Sequence, residues 1–270
     1  MSLSTTYDPT LFAGVASYYS QYRPRYTDEL YRLLIQEFNL NGQGRLLDLA
    51  TGTGLIAIAL SPQFEEIVAL DPDPEMLQEA QQEAKRLGLK NIQWIQNQAE
   101  NISGDLGEFR LITIGRAYHW LDKAKVLQLA SDRLISGGGI ALTYTYEDIW
   151  HSTVPWKLAV LAVVKKWVGE KRRAGSGLID NLDETYSDLP ELLQKTGFTA
   201  PIIHKIIIEK TWTIDSWLGY LYSTAFCRPA YLGNNLSEFE QDIRDTLLTL
   251  SPSGEFIEKI PVDVYLASKI

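Results

Sequence analysis

Leu46 to Leu60 reads LLDLATGTGLIAIAL. A short apolar run carrying one acid, Asp48, meets Gly52 and Gly54, and an unbroken apolar run, Leu55–Leu60, follows. This is the pattern of a buried strand, a turn of bare backbone and a helix that stops before Pro62. At the carboxyl end of a strand in an open α/β sheet, such a turn lets a ligand approach the main chain without meeting a side chain.

The segments on either side carry the same alternation. Upstream, Thr27 is placed to cap a helix whose Leu30, Leu33, Leu34 and Phe38 share one face. Downstream, EIVALD (66–71) reads as a strand, and PEMLQEAQQEAKRLG (74–88) as a helix with proline at its start and glycine past its end. NIQWIQ (91–96), FRLITIG (109–115) and GIALTYTY (139–146) are three more expected strands, with helical KAKVLQLASDRLI (123–135) between the last two. Strands alternating with helices of this length imply right-handed crossovers and a largely parallel sheet.

After residue 146 the pattern changes. PWKLAVLAVVKKWVGEKRR is helical, and AGSGLIDNLDETYSD does not resemble sheet, so residues 147–185 are expected to form a helical cap. LPELLQKTGF, DSWLGYLYSTAF and LSEFEQDIRDTLLTL read as helices. PIIHKIIIEKTW (201–212) and PVDVYLASK (261–269) read as the last strands. The expected organisation is one domain over 1–270: a helical lid at 1–40, a ligand-binding core at 41–146, the cap, and completion of the sheet by 186–270.

Composition narrows the partners. The 270 residues carry a net charge of −9, which disfavours nucleic acid. One cysteine excludes an intrachain disulfide, and three scattered histidines do not make a zinc site. The amino terminus lacks a secretory pattern, and LAVLAVV (158–164) is too short to span a bilayer, so a cytoplasmic protein without membrane contact is expected.

The turn admits two parses. Gly52-Thr53-Gly54-Leu55-Ile56-Ala57 fits a dinucleotide fingerprint ending in alanine, and Asp48 to Gly54 resembles a methyltransferase turn in slightly altered form. Asp48 separates them: a dinucleotide strand stays apolar here, whereas an acid suits the ammonium of a methionine-like ligand. Asp71, ending the second strand, suits the hydroxyls of a ribose in either case.

RLLDLATGTG, VALDPDPEMLQEA, WIQNQAENI, ITIGRAYHWLD and RLISGGGIALT follow one another in the order and spacing of the motifs of class I S-adenosylmethionine-dependent methyltransferases. Together with YSQYRPRYTDEL and HWLD, the chain resembles the small-molecule branch that includes trans-aconitate methyltransferase-like proteins. The resemblance implies a Rossmann-like α/β sheet of about seven strands with the last antiparallel, and S-adenosyl-L-methionine as cofactor. It places Ala50, Thr51, Gly52 and Gly54 beside the methionine portion, with Asp48 near the amino group and Arg23 available to a carboxylate. It places Asp71 on the ribose, Pro72 and Met76 beside adenine, Gln98, Ala99 and Glu100 at the adenine edge, and Gly115 and Arg116 where the fourth strand ends. Ala50 stands where the family usually has its first glycine, and Gln98 where an Asp is common.

For the chemistry, His119 is the candidate base, and Arg116 and Arg23 are candidate grips on a carboxylate. Arg25 reads as a surface residue, and Cys227 as a packed thiol. Tyr18, Tyr19 and Tyr22 form a candidate aromatic lid, with Trp120 beside the substrate. Lys165, Lys166, Lys171, Arg172 and Arg173 read as a solvated face. The leading expectation is O- or C-methylation of a small molecule by a monomer or homodimer. The alternatives are an NAD(P)-dependent oxidoreductase and a non-catalytic cofactor-binding member of the fold.

Overall fold

In the computed structural model, which describes residues 8–102, 106–174, 177–179 and 186–270, the quoted stretch is strand β1 (Arg45–Leu49) followed by helix α3 (Leu55–Leu60). Before it come α1 (Ala16–Tyr22) and α2 (Asp28–Glu37). After it run β2 (Glu66–Asp71), α4 (Pro74–Arg86), β3 (Ile92–Gln96), β4 (Phe109–Gly115), α5 (Lys123–Arg133) and β5 (Leu134–Thr145). Next come α6 (Pro155–Val168), a hairpin of β6 (Arg172–Ala174) and β7 (Gly177–Ile179), α7 (Leu189–Lys195) and β8 (Ile202–Thr213). Helices α8 (Ile214–Tyr222), α9 (Pro229–Leu232) and α10 (Leu236–Leu250) precede the last strand, β9 (Glu255–Ser268).

The main sheet has seven strands in the order β3-β2-β1-β4-β5-β9-β8. Strands β1 to β5 pair in parallel, and β9 runs antiparallel to both of its neighbours, as expected. Alternate residues of each strand face opposite sides. Leu46, Ile67 and Leu111 pack under α2, α3 and the α6–α8–α10 group. Leu47, Val68, Ile112 and Ile140 pack under α5 and α7. With both faces covered, the central strands are buried on each side, which explains their nearly continuous apolar sequence.

Helix α4 starts at Pro74 as expected, and its cap is Asp73, whose carboxylate accepts from the Glu75 and Met76 amides. The expected cap at Thr27 is only positional, since its hydroxyl makes no capping bond. Two strands begin earlier than expected. Leu134 and Ile135, expected at the end of a helix, already belong to β5. Strand β9 begins at Glu255, six residues before Pro261, which suggested a start. Proline is tolerated there because β5 pairing ends at Thr145↔Val262, so nothing on that side needs its missing N–H. The 147–185 segment is not wholly helical. It holds α6 and then the β6–β7 hairpin, whose three-residue strands are too short to show a period. Residues 175–176 and 180–185 of that segment lie outside the described residues. Among the described residues no helix is long and apolar enough to cross a membrane.

Candidate functional site

The order β2-β1-β4-β5 brings Asp71, the glycine turn, Gly115 and the residues after Thr145 to one edge of the sheet. The two glycines do different jobs there. A Cβ at Gly52 would meet nothing within 4 Å, so this backbone stands open. One at Gly54 would lie 2.9 Å from Trp94 and 3.1 Å from the Ala80 methyl, so Gly54 is required for α3 to pack against α4 and β3, not for ligand approach. Ala50 adopts φ +52°, a left-handed conformation that is unfavourable for a residue with Cβ. Ala50→Gly is expected to raise stability by roughly 0.5–1 kcal/mol, measured by urea unfolding, since relief of strain exceeds the added chain entropy.

Asp48 is 1% exposed and accepts from the Thr51 hydroxyl at 2.5 Å and the Thr113 hydroxyl at 2.6 Å. Burial pushes its carboxyl up to about 6, although both hydroxyls pull it down. Asp71 accepts from the Gly52 amide with one oxygen and the Asp73 amide with the other, each at 2.9 Å, and so ties the turn to the end of β2. Burial pushes Asp71 to about 6 as well, against those two N–H donors. Folded values above the unfolded value of about 3.9 mean a contribution to stability that is complete below pH ~4 and lost as pH rises through ~6. Asp48→Asn, which keeps the side-chain shape, is expected to flatten the pH dependence of stability over this window. At pH 8 it should be more stable than wild type in urea melts.

A cavity of about 30 Å³ lies over the turn, lined by Asp48, Gly52, Thr53, Gly115, Tyr19 and Arg116 among others. The Thr53 hydroxyl is buried without a hydrogen-bond partner. The amino-terminal segment closes this cavity. Val15 and Ala16 form one apolar cluster with Met76, and Phe12 and Tyr19 pack against it. The Gly14 amide donates to Glu75 at 2.7 Å, and Arg228 holds the carbonyls of Thr10 and Ala13. Met76, expected beside adenine, therefore lies beneath the lid.

A second cavity, of about 80 Å³, adjoins the first, and Tyr19 and Arg116 line both. At its centre Glu147 lies between two guanidiniums, in ion pairs with Arg23 and, at 3.5 Å, with Arg116. Arg116 has φ +56° and donates to the Pro24 carbonyl at 3.0 Å, with the Tyr26 ring 4.8 Å away. Arg23 lies over Tyr19 and Tyr220 and donates to the Ser223 hydroxyl. Burial is the strongest single influence on its pKa and lowers it, but Glu147, Tyr220 and Tyr19 together outweigh burial, so the net shift is upward. Arg172 also lines this cavity and donates to Asp148 at 3.0 Å. This corrects the reading of Arg172 as part of a solvated face.

His119 lines the second cavity beside Trp120, their ring centroids 4.9 Å apart. Its Nδ1 is buried without a hydrogen-bond partner. Burial, reinforced by the charge of Arg172, pushes the imidazole down to about 3, so it stays neutral near pH 7.

Other expected site residues line neither cavity. Tyr22 packs on Gly219, where a Cβ would fall 2.3 Å from its ring, and Tyr18 contacts Tyr222. Both line neither cavity and fasten α1 to α8; Tyr19 is the tyrosine that faces inward. Ala99 is buried in the core, Gln98 accepts from Asn101, and Glu100 accepts from the Asp122 amide, so all three serve the end of β3 and the start of α5. The Pro72 carbonyl accepts from Gln96, and Pro72 lines neither cavity. Arg25 is exposed and Cys227 fully buried, as read. Glu147 and Asp148 are not among the residues that the sequence singles out. Only the position of Glu147 and Asp148 just past the carboxyl end of β5 marks them in sequence.

Comparison with known proteins bears on the domain and the fold. Residues 46–138 match the family model described as a methyltransferase domain. A Dictyostelium discoideum protein described as a methyltransferase is 22% identical over 96% of this chain and 94% of its own length. A Saccharomyces cerevisiae protein described as an S-adenosylmethionine-dependent methyltransferase is 28% identical over 48% of this chain and 45% of its own. The chain spans about half the length of the Mycobacterium relatives it also matches. The crystal structure of the YcgJ protein from Bacillus subtilis shares the fold, with a TM-score of 0.57 at 18% identity, covering 90% of this chain and 99% of that one. Residues 46–138, which carry β1 to β4 and the start of β5, match a methyltransferase domain, and the relatives and the shared fold support a class I S-adenosylmethionine-dependent methyltransferase.

Proposed function

We propose that this chain transfers the methyl group of S-adenosylmethionine to a carboxylate oxygen of a small organic anion. The observation that carries this reading is the junction of the two cavities at Tyr19 and Arg116. One side offers the open backbone at Gly52 with Asp48 in its lining, and Asp71 is bonded to the Gly52 amide. The other is lined by three guanidiniums, Arg23, Arg116 and Arg172, against two carboxylates, Glu147 and Asp148. A surplus of guanidinium in a buried cavity favours an anion, and the planar fork matches a carboxylate.

The residues at the turn fit the cofactor chemically. Asp48 suits an ammonium, Asp71 suits ribose hydroxyls, and the partnerless Thr53 hydroxyl supplies a further polar contact. Pockets for ligands of this size hold roughly 300 Å³ or more, so binding requires the Phe12–Tyr19 lid to lift. When bound, the cofactor supplies a methyl carbon activated by its sulfonium. The chain's own work is then alignment and exclusion of water, with Tyr19 closing over the junction. His119, held neutral and only weakly basic, is a poor match for deprotonating a hydroxyl or a carbon acid, whereas a carboxylate needs no base.

The test is transfer of a tritiated methyl group to a panel of small mono-, di- and tricarboxylates, with neutral alcohols alongside, plus calorimetric titration with S-adenosylhomocysteine and with NAD. Base-labile label on carboxylates and binding of S-adenosylhomocysteine alone are expected. Label confined to alcohols would sink the carboxylate reading, and absence of any transfer would favour a non-catalytic role.

A further inference from the structure

Strand β8, IIHKIIIEKTWT, is the outer strand of the main sheet, and among the described residues no strand pairs with its outer edge. Twelve residues long and rich in isoleucine, it is an edge that folded proteins usually shorten, cover or charge. Its solvent-facing side chains include Ile203, Lys205, Ile207 and Glu209, and Ile207 is 43% exposed. Across the strand, β9 supplies partners in register: Lys205 faces Asp263, Ile207 faces Pro261, Glu209 faces Lys259 and Thr211 faces Ile257. The two charged pairs lie at 3.7 Å and 3.3 Å.

This order is self-complementary. If two copies meet edge to edge, antiparallel and centred on Ile207, Ile207 opposes its counterpart and Lys205 of each copy opposes Glu209 of the other. Each charged row then reads Asp263, Lys205, Glu209, Lys259 across four strands, with signs alternating at every step. The central row is Pro261, Ile207, Ile207, Pro261, and the outer rows join Tyr265 and Ile203 to Thr211 and Ile257, the last of which is 77% exposed in one copy. Moving the centre by one residue destroys the match, because Lys205 then opposes Ile207. A lysine on an edge strand ordinarily repels strand addition. Here the symmetric register supplies each lysine with an acid.

We propose that this face takes a second copy of the chain, β8 against β8, forming a homodimer with one continuous sheet. Direct cross-strand charge pairs and the isoleucine pair stabilise the register, and the outward main-chain N–H and C=O groups of both edges find partners.

The experiment uses the full chain in sedimentation equilibrium across a concentration series, for wild type, Lys205→Glu, Glu209→Lys and a 1:1 mixture of the two variants. Wild type is expected to show a monomer–dimer equilibrium. Each variant alone places like charges opposite one another twice and should dimerise about tenfold more weakly or worse. In the mixture, both opposed pairs are again of unlike sign, so association should return to near the wild-type strength, which also shows that both variants are folded. Three results would overturn the proposal: a wild type that stays monomeric at the highest concentrations, a dimer indifferent to both substitutions, or variants that fail to associate when mixed. None of these touches the methyltransferase reading, because β8 is remote from the glycine turn.

Discussion

Glu147→Ala is expected to cost about 3–5 kcal/mol of folding stability, on the order of 10 °C in Tm for a chain of this size. Glu147 is the carboxylate between Arg23 and Arg116, and all three side chains are largely removed from solvent. Guanidinium cannot shed its proton under ordinary conditions. Without Glu147, two buried cations remain, faced by the rings of Tyr19, Tyr26 and Tyr220, which offer only weak cation–π compensation. The anchoring of Arg23 to Ser223 and of Arg116 to the Pro24 carbonyl prevents either side chain from swinging out to water cheaply. The substitution also leaves a carboxylate-sized space between two forks. Millimolar acetate or formate should therefore restore part of the lost stability, more than chloride at equal ionic strength, because a ligand that binds only the folded state stabilises it. Urea melts with and without each anion decide the matter. A loss under about 1 kcal/mol, or equal rescue by all anions, would remove the electrostatic basis for an anionic methyl acceptor.

Asp71→Asn is expected to lower affinity for S-adenosylhomocysteine by about 10- to 100-fold, the weight of one or two hydrogen bonds to a charged acceptor. Both oxygens of Asp71 hold backbone amides, one from Gly52 and one from Asp73. An asparagine satisfies one and turns an NH2 toward the other, which loosens either the glycine turn or the start of α4. It also removes the charge that would strengthen acceptance from ribose hydroxyls. Folding stability near pH 7 should change less than affinity, because the carboxylate already suffers from burial that raises it to about 6. The same value sets a pH signature. Wild-type affinity is expected to weaken as pH falls below ~6 and Asp71 takes up a proton, while the Asp71→Asn variant should show a flatter profile. Calorimetric titration at pH 5 and pH 7.5 reads both effects. Affinity within threefold of wild type at pH 7.5 would assign Asp71 to the turn alone and leave the ribose to other residues.

The amino-acid sequence by itself determined the frame. Short apolar runs identify the strands, Pro74 and Gly88 bracket α4, and Gly52 with Asp48 and Asp71 points to the carboxyl end of β1 and β2 as the expected ligand end. These signals are local: a backbone that needs a bare position, or a strand that needs an apolar face, says so within a few residues. What only the tertiary structure decided is which side chains meet. Tyr19 and Arg23 come from the amino-terminal segment, Arg116 follows β4, Glu147 follows β5, Arg172 belongs to the hairpin and Tyr220 to α8, yet they surround one cavity. No spacing in the chain records that convergence, because it arises from how the lid and the 147–185 segment pack over the sheet. The same holds for Gly54, whose need is set by Trp94 and Ala80 across the layer, and for Met76, covered by Val15 and Ala16. A carboxylate two residues past a strand looks like any surface acid until folding withdraws it from water between two guanidiniums, and the cost of that desolvation is a property of the assembled site.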